Sequence, residues 1–467
     1  MASDKVHIRF EGKTLECRSD TTVAVALWEN GVRCLSRSPK YGRPRGVTCA
    51  RGHCTACLMR VDNIPNVRTC ELPVREGMEI QRQDAGAFYA APMQKVLAAG
   101  SAFFPVGFYY KWFTKPATVS RLFLNGIRPL TGVGRLPGPE HATRVLPPAS
   151  DPQDPTAASA TDLGRFDTVI VGAGPSGLAA AEKATGRVLI LDDHEIPGGQ
   201  RYGALRRLAE DQGKILDRFD VLRSSLERIE KLRDQFSTRN DVTFLQGTRA
   251  IAGYHPDHLL LRREDRLQSV KFDTLIWAAG ALDTLGLFPG NDTPGLLGPR
   301  ALYRLLVRDG LQVKGMHVLI IGGGLDFWLS AALLDVAGAH LSLVVTNSDD
   351  PSEIPAAVDR KWPLNTGLIL DNISGMGEQK LRASFSPDGS QSIRHDSQMT
   401  MDADLAVICN RAKPAYDVPF QLGGDVTLQP DLGGFALSDD SSLVAVGEAG
   451  GNLPGDPAHP ADEVNIP

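Results

Sequence analysis

Four of the seven cysteines in this 467-residue chain fall within 22 positions, at Cys49, Cys54, Cys57 and Cys70, spaced C-x4-C-x2-C-x12-C. Thiolates are soft ligands that select zinc, copper(I) or iron–sulfur clusters. Structural zinc sites more often show two C-x2-C pairs. The wide first gap is that of a plant-type [2Fe–2S] loop, which folds over its cluster with backbone N–H groups facing the sulfurs. Gly52 supplies the conformational freedom such a loop needs. Four cysteines complete a ligand set, which leaves His53 as a polar loop residue.

The flanking residues agree with that reading. Residues 6–10 and 14–18 alternate with period two around the turn Glu11-Gly12-Lys13, the pattern of a β-hairpin. Asp20 is placed to cap a short helix over 22–30, with Val23, Ala26 and Leu27 at helical spacing and Gly31 as its stop. Residues 58–61 and 67–70 predict a second hairpin that delivers the fourth cysteine, and residues 78–81 a last edge strand. Hairpin, helix and cysteine loop is the order of a β-grasp ferredoxin domain, predicted over residues 1–85. Arg33, Arg37, Lys40, Arg43, Arg45 and Arg51 lie between helix and cluster. They read first as a solvated surface, with a nucleotide phosphate or an acidic partner as the alternative.

Residues 86–165 form a connector. Its first part holds Phe103, Phe104, Phe108, Tyr109, Tyr110, Trp112 and Phe113. Exposed, these would make an unfavourable patch, so they are expected beneath a neighbouring domain or in a subunit interface. Its second part, from Leu146 to Thr161, lacks apolar periodicity and reads as a linker.

At Phe166 the pattern changes. An apolar strand over 167–171 is followed by Gly172-Ala-Gly174-Pro175-Ser176-Gly177, a helix over 178–184 and a second strand ending in Asp192 and Asp193. This is a full dinucleotide fingerprint in its strand–turn–helix setting. The first glycine makes the turn, the second admits the pyrophosphate and the third packs helix on strand. The helix N-terminus offers N–H groups and a positive dipole to phosphates, and Asp192 is placed for a ribose. An adenine nucleotide is the expected ligand. Gly199, Gln200 and Arg201 follow in a loop able to run beneath a flavin ring, and a charged amphipathic helix is predicted over 215–235. Gly280 closes another strand, and an apolar strand ends at Gly447-Glu448, where backbone N–H groups can meet a flavin chain. The first nucleotide domain is predicted over 166–300, with a return at 401–467.

A second fingerprint, Gly322-Gly-Gly324-Leu-Asp-Phe327, opens a domain predicted over 301–400. Phe327 replaces the third glycine, and the next strand ends in Thr346-Asn347-Ser348 with no acid for a ribose and no arginine for a 2′-phosphate. The fold is expected to be kept here and NAD(P)H binding to be lost.

The totals exclude several classes. A net charge of −5 argues against nucleic acid, whose phosphates need a basic face. The longest apolar run, residues 96–110, is broken by Gly100, Pro105 and Gly107 and is too short to span a bilayer. The opening Met-Ala-Ser-Asp-Lys is polar and unlike a signal peptide. The chain therefore reads as cytoplasmic, with thiols kept reduced. No His–acid pair near a fingerprint and no nucleophile elbow is found, so no catalytic residue is assigned. No cysteine lies between Cys70 and Cys409, which argues against a disulfide reductase.

Taken together, Ser36–Gly46, Gly107–Lys111, Gly132–Pro137, the Gly172 fingerprint, Gly198–Gln200 and the glycine-rich ending at 433–451 carry a resemblance. The chain resembles the α subunit of the heterotetrameric sarcosine oxidase family. Its relatives include opine oxidases, hydrogen cyanide synthase and heteromeric proline and hydroxyproline dehydrogenases. The likeness is to the form with the cluster cysteines and without a C-terminal folate-binding domain, so one-carbon transfer to tetrahydrofolate is not expected.

The resemblance implies a β-grasp [2Fe–2S] domain followed by a two-dinucleotide-domain, glutathione-reductase-like flavoprotein. FAD is the implied occupant of the first pocket, with NAD or ATP as alternatives there and FMN at a subunit interface. It further implies an electron-transfer subunit of an amine or imino-acid dehydrogenase. A D-amino-acid-oxidase-like FAD β subunit would oxidise the C–N bond, and a quinone or carrier protein would take the electrons. The rivals are a stand-alone NAD(P)H-dependent reductase and a structural subunit with a redox-inactive nucleotide. The substrate, the acceptor and the stoichiometry are not encoded in this chain.

Overall fold

A computed structural model describes residues 4–38, 43–83, 115–127, 160–210, 216, 219–254, 256–263, 266–345, 362–377, 379–387, 399–410, 412–429, 434–437 and 443–450. The aromatic segment at 103–113, the linker up to residue 159 and Thr346-Asn347-Ser348 lie outside them.

The N-terminal unit is a five-stranded sheet with one helix on it. β1 (Lys5–Phe10) and β2 (Lys13–Arg18) form the first hairpin, paired from Lys5↔Arg18 to Phe10↔Lys13. α1 (Val23–Glu29) follows, and six of its seven residues are buried. Thr22, not Asp20, holds the N-cap position, without a side-chain hydrogen bond. β3 (Leu58–Val61) and β4 (Ile64–Arg68) make the second hairpin. β5 (Glu79–Gln81) corrects one expectation, because it is not an edge strand. The sheet order is β2-β1-β5-β3-β4. β5 runs parallel to β1 (Phe10↔Ile80) and antiparallel to β3 (Val61↔Ile80), joining the two hairpins. Ile80 is fully buried there. A strand of three residues is too short to show in an alternation pattern whether one or both of its edges are paired.

The second unit begins with β6 (Thr161–Val171), α2 (Pro175–Lys183) and β7 (Val188–Leu191), the strand–turn–helix–strand of the first fingerprint. α3 (Tyr202–Glu210) and α4 (Asp220–Ser237) pack next to it. α4 buries Leu222, Leu226, Ile229 and Leu232 at helical spacing and turns its charges outward. β8 (Val242–Leu245), β9 (Thr248–Tyr254), β10 (His258–Arg263) and β11 (Arg266–Trp277) extend the sheet to β8-β7-β6-β11-β10-β9. β6, β7 and β8 are parallel and almost wholly apolar at their centres, as strands covered on both faces should be.

The third unit is a parallel sheet of Leu296–Leu297 (β12), Leu405–Cys409 (β19), His317–Gly322 (β13), His340–Val345 (β14) and Leu364–Thr366 (β15), in that spatial order. β12 (Leu296–Leu297) leads into α5 (Pro299–Tyr303), and β13 (His317–Gly322) leads into α6 (Gly324–Val336) and β14 (His340–Val345). β15 (Leu364–Thr366) lies at one edge. β16 (Leu368–Met376), β17 (Lys380–Pro387) and β18 (Met399–Ala403) form a separate antiparallel layer. β19 (Leu405–Cys409) pairs with both β12 and β13. This sheet therefore recruits residues on both sides of the expected 301–400, since β19 pairs along one edge of β13 and β12 adds beyond it. The chain then returns, and β20 (Leu443–Ala445) pairs in parallel with β11 of the first nucleotide sheet.

Candidate functional site

The cysteines Cys49, Cys54, Cys57 and Cys70 converge. Cys57 follows a turn into β3, and Cys70 closes the segment after β4, held by Thr69, whose hydroxyl donates to the Cys57 carbonyl at 2.8 Å. Cys57 and Cys70 are buried, and Cys49 and Cys54 are half-buried. Backbone N–H groups of Arg51 and Cys54 donate to Cys49 Sγ at 3.4 and 3.3 Å, so the loop does fold over the sulfur. Gly52 takes φ +69°, and a Cβ on it would meet Glu71 Oε2 at 2.2 Å. Hydrogen bonds from Cys54 and Cys70 hold the Cys49 thiol far below the ordinary range, and the same contacts push Cys54 and Cys70 up. Four thiols this close compete for protons that a soft metal would displace. They fit the donor set of an iron–sulfur cluster.

The first fingerprint packs as its glycines require. Gly172 has φ +107°, and a Cβ there would lie 2.3 Å from the Ala278 carbonyl. On Gly177 a Cβ would lie 1.8 Å from the Gly172 carbonyl oxygen. Gly174 differs, since its nearest neighbour would be Gly199 Cα at 3.7 Å. Its missing side chain therefore leaves space in the cavity rather than preventing a clash. No side chain caps α2. Its first turn, with Gly174, Pro175 and Ser176, borders a cavity of about 760 Å³.

Asp192, Asp193, Gly199, Gln200 and Arg201 border the same space, as do Gly280, Gly447 and Glu448. Of the nucleotide-site residues suggested by the sequence, Gly177 alone is absent from the wall, because it packs helix on strand. Asp192 is knitted into the fingerprint, with its carboxylate accepting the Ala173 N–H at 2.6 Å and the His194 N–H at 2.8 Å. Asp193 takes Arg249 Nη2 at 3.2 Å and Arg304 Nη2 at 3.4 Å, with Arg51 Nη2 at 3.6 Å. His194 Nδ1 lies 2.8 Å from Asp192 Oδ1, a His–acid pair beside the first fingerprint that corrects the expectation of none, and Asp192, Asp193 and His194 bring their ligand atoms within 4.8 Å of one another. The surrounding arginines already balance that acidity, so the trio is the hub of an ion-pair network.

The cavity also reaches the cluster loop, since Arg51, Gly52 and His53 line it. His53 is exposed there. The basic stretch thus divides. Arg51 faces the cavity, while Arg33 stacks 4.8 Å over the Trp28 ring and donates to the carbonyls of Gln379 and Asp404. Neither is a solvated surface residue. The sequence signal was composition alone, which cannot tell a buried arginine from an exposed one.

A second network borders the same cavity. Arg201 forms a two-pronged pair with Asp326 and also donates to Glu448 at 2.8 Å. Arg300, only 3% exposed, donates to Glu448 at 2.7 Å and to Asp283 at 2.9 Å. Tyr303 donates to Asp326 at 3.0 Å. Burial alone would raise the Asp326 carboxyl, but Arg201 and Arg300 hold it far below the ordinary carboxylate range. Asp326 sits in the first turn of α6, where a nucleotide would place its phosphate. Sequence reading missed Asp326, Arg300, Arg249 and Arg304. An acid inside a glycine fingerprint was the one available signal.

Comparison with known proteins decides the family. Residues 3–85 match the 2Fe-2S iron-sulfur cluster binding domain, and residues 166–348 match the pyridine nucleotide-disulphide oxidoreductase family. The alpha chain of sarcosine oxidase from Rhizobium meliloti (strain 1021) is 29% identical over 349 residues, 72% of this chain and 34% of that protein. One chain of the opine oxidase from Agrobacterium tumefaciens (strain Ach5) is 29% identical over 192 residues, 40% of this chain and 38% of that one. The HcnA chain of hydrogen cyanide synthase from Pseudomonas aeruginosa (strain ATCC 15692) is 32% identical over 76 residues, 16% of this chain and 72% of that one.

The chain belongs to the family of sarcosine oxidase α, opine oxidase and hydrogen cyanide synthase subunits.

It spans 34% and 38% of the length of the sarcosine oxidase and opine oxidase relatives named here. An L-proline dehydrogenase from P. horikoshii shares the fold, with TM-score 0.58 at 16% identity over 96% of this chain and 69% of that one. A family member of this architecture, a [2Fe–2S] domain joined to a two-dinucleotide flavoprotein, carries a [2Fe–2S] cluster and FAD. Among the described residues no helix is long and apolar enough to cross a membrane.

Proposed function

We propose that this family member is the electron-transfer subunit of a heteromeric flavin-dependent amine or imino-acid dehydrogenase or oxidase. Cys49, Cys54, Cys57 and Cys70 would hold the [2Fe–2S] cluster, and the Gly172 fingerprint would hold FAD. The observation that carries the reading is that one chain presents both four converging thiols and a fingerprint cavity. FAD takes electrons in pairs and releases them singly, and the cluster carries one at a time, which suits the two to one chain.

This chain's residues supply position and field. Gly174 leaves room for the pyrophosphate, and the first turn of α2 aims N–H groups and a positive dipole at it. Asp192 and Asp193 face the ribose end. Gly280, Gly447 and Glu448 border the same cavity, where a flavin ring is expected, and Arg201 and Arg300 keep Glu448 ionised there. The cluster loop shields its sulfurs with backbone N–H groups. The electron source is proposed to be a partner FAD subunit that oxidises the C–N bond, and the sink a quinone or carrier protein.

The rival, a stand-alone NAD(P)H reductase, would need the second fingerprint. There Phe327 is fully buried in the helix and Asp326 brings a carboxylate to the phosphate position. Anaerobic titration of the purified chain with NADH and NADPH separates the two readings. No bleaching of flavin or cluster absorbance, with dithionite still reducing both, is the expected result. Prompt bleaching by either nucleotide overturns the partner-dependent reading.

A further inference from the structure

We propose that the cluster loop is itself a wall of the nucleotide site, so that the cluster and the adenine dinucleotide stabilise each other. The inference rests on the reading above, in which the four thiols hold the cluster and the Gly172 fingerprint holds the nucleotide. It adds that occupancy of one site sets affinity at the other.

The contacts run from both halves of the ligand set to a single carboxylate. Arg51 lies between the thiols Cys49 and Cys54, and its Nη2 stands 3.6 Å from Asp193 Oδ2. Glu71 directly follows Cys70 and accepts Arg249 Nη2 at 3.0 Å, while the same nitrogen donates to Asp193 at 3.2 Å. Asp193 adjoins Asp192 at the end of β7, the place where this fold meets the nucleotide's ribose. Arg308 fastens the arrangement from a third side. It donates to the Cys70 carbonyl at 3.1 Å and the Ala50 carbonyl at 3.5 Å, one helical turn beyond the Asp193 partner Arg304.

These links are rigid where they matter. The Arg51 side chain is 11% exposed, so it cannot swing into solvent without moving the loop. The Gly52 backbone lies directly against the Glu71 carboxylate, which a Cβ there would meet at 2.2 Å. Metal bonds to Cys49, Cys54 and Cys70 cross-link these same segments. Without them the loop that carries Arg51 and the turn that carries Glu71 lose their common anchor, and the arginine–carboxylate wall loosens. The loop meets the cavity at Asp193, so its role toward the nucleotide is to hold the adenosine half. By reciprocity, a nucleotide that fixes Asp193 must raise the affinity for the cluster by the same factor.

The test measures FAD affinity, by quenching of flavin fluorescence, for three forms of the full chain. These are the cluster-loaded protein, the protein stripped of iron by a chelator under reducing conditions, and cluster-loaded Arg51→Gln. Stripping is expected to weaken FAD binding by about tenfold or more, within the usual span of such couplings. Arg51→Gln should keep its iron and its cluster absorbance and still bind FAD several-fold more weakly. In the reverse arm, saturating FAD should raise the chelator concentration that removes half of the iron at equilibrium by a comparable factor. Equal affinity in loaded and stripped protein overturns the coupling while leaving FAD binding in place. If stripping unfolds the chain, as read by far-ultraviolet circular dichroism, Arg51→Gln decides, and wild-type affinity in that variant overturns the proposal. Failure of every form to bind FAD overturns the nucleotide assignment beneath it.

Discussion

Arg201 and Asp326 meet through two parallel hydrogen bonds of 2.6 and 2.7 Å, although 125 positions separate them in the chain. Arg201 belongs to the loop after the first fingerprint and Asp326 to the second fingerprint, so the pair bolts one nucleotide unit to the other. Both side chains are mostly buried, at 17% and 14% exposure. Asp326→Asn leaves two buried guanidinium groups short of a counter-charge. Breaking such a pair from one side costs about 3 kcal/mol. Chemical denaturation should show a loss of that size, and the variant should gain no NADH oxidation. A stability change within error would mean that the pair is dispensable.

The glycines of the first fingerprint should separate binding from folding. Gly174→Val adds bulk only toward the cavity, so the protein should keep its melting temperature and lose FAD affinity by about 100-fold, or roughly 2.7 kcal/mol. Gly177→Ala drives a methyl group into the Gly172 carbonyl and should cost about 3 kcal/mol or prevent folding. Calorimetry together with flavin content distinguishes the two. Equal behaviour of the variants would contradict the roles given to them.

Acid stability should report on Glu448. Burial works to raise this carboxyl, but Arg201 and Arg300 outweigh it, and in the folded protein it titrates below its ordinary 4.5. A lowered folded value means that the group adds stability above pH 4.5 and loses it as the pH falls through the folded value. Asp283, pushed up by burial, acts in the opposite sense. It is common to wild type and Glu448→Gln, so their comparison isolates Glu448. Urea midpoints should differ clearly at pH 7 and converge toward pH 3. A constant difference would remove Glu448 as the titrating group.

Cys57→Ala tests the ligand set. Cys57 is only 1% exposed and its thiol neighbours that of Cys70, so its removal should leave less than a full cluster. Iron per chain should fall to near zero and the visible absorbance of the cluster should vanish. The scattered Cys17, by contrast, donates to the Val6 carbonyl in the first hairpin, and Cys17→Ala should keep full iron. Retention of the cluster in Cys57→Ala would displace that thiol from the set.

What was legible in the sequence was what repeats locally. The period-two hairpin at the N-terminus, the cysteine spacing and the glycine pattern after β6 each place their signal within about twenty residues. Contacts between distant segments left none. Arg33 reads as one charge among several, yet it lies on Trp28 and binds carbonyls at Gln379 and Asp404. Arg51 reads as part of the same basic run, and its partner Asp193 lies in another domain. Asp192 was placed for a ribose, but its carboxylate also clamps the fingerprint's own Ala173 N–H, a contact visible only once strand and loop are folded.

The position of β5 has a consequence for synthesis. Residues 79–81 occupy the middle of the N-terminal sheet, between hairpins that leave the ribosome earlier. All four thiols therefore emerge while the frame that spaces them is still in two halves. Chains are made at about 5–20 residues per second, so the eleven residues from Cys70 to Gln81 take about half a second to two seconds. During it the cysteines are free to meet zinc or an oxidant on an open chain. Faithful cluster loading should depend on how quickly a three-residue strand slots into place, and the tolerance of expression hosts should track the protection given to those thiols.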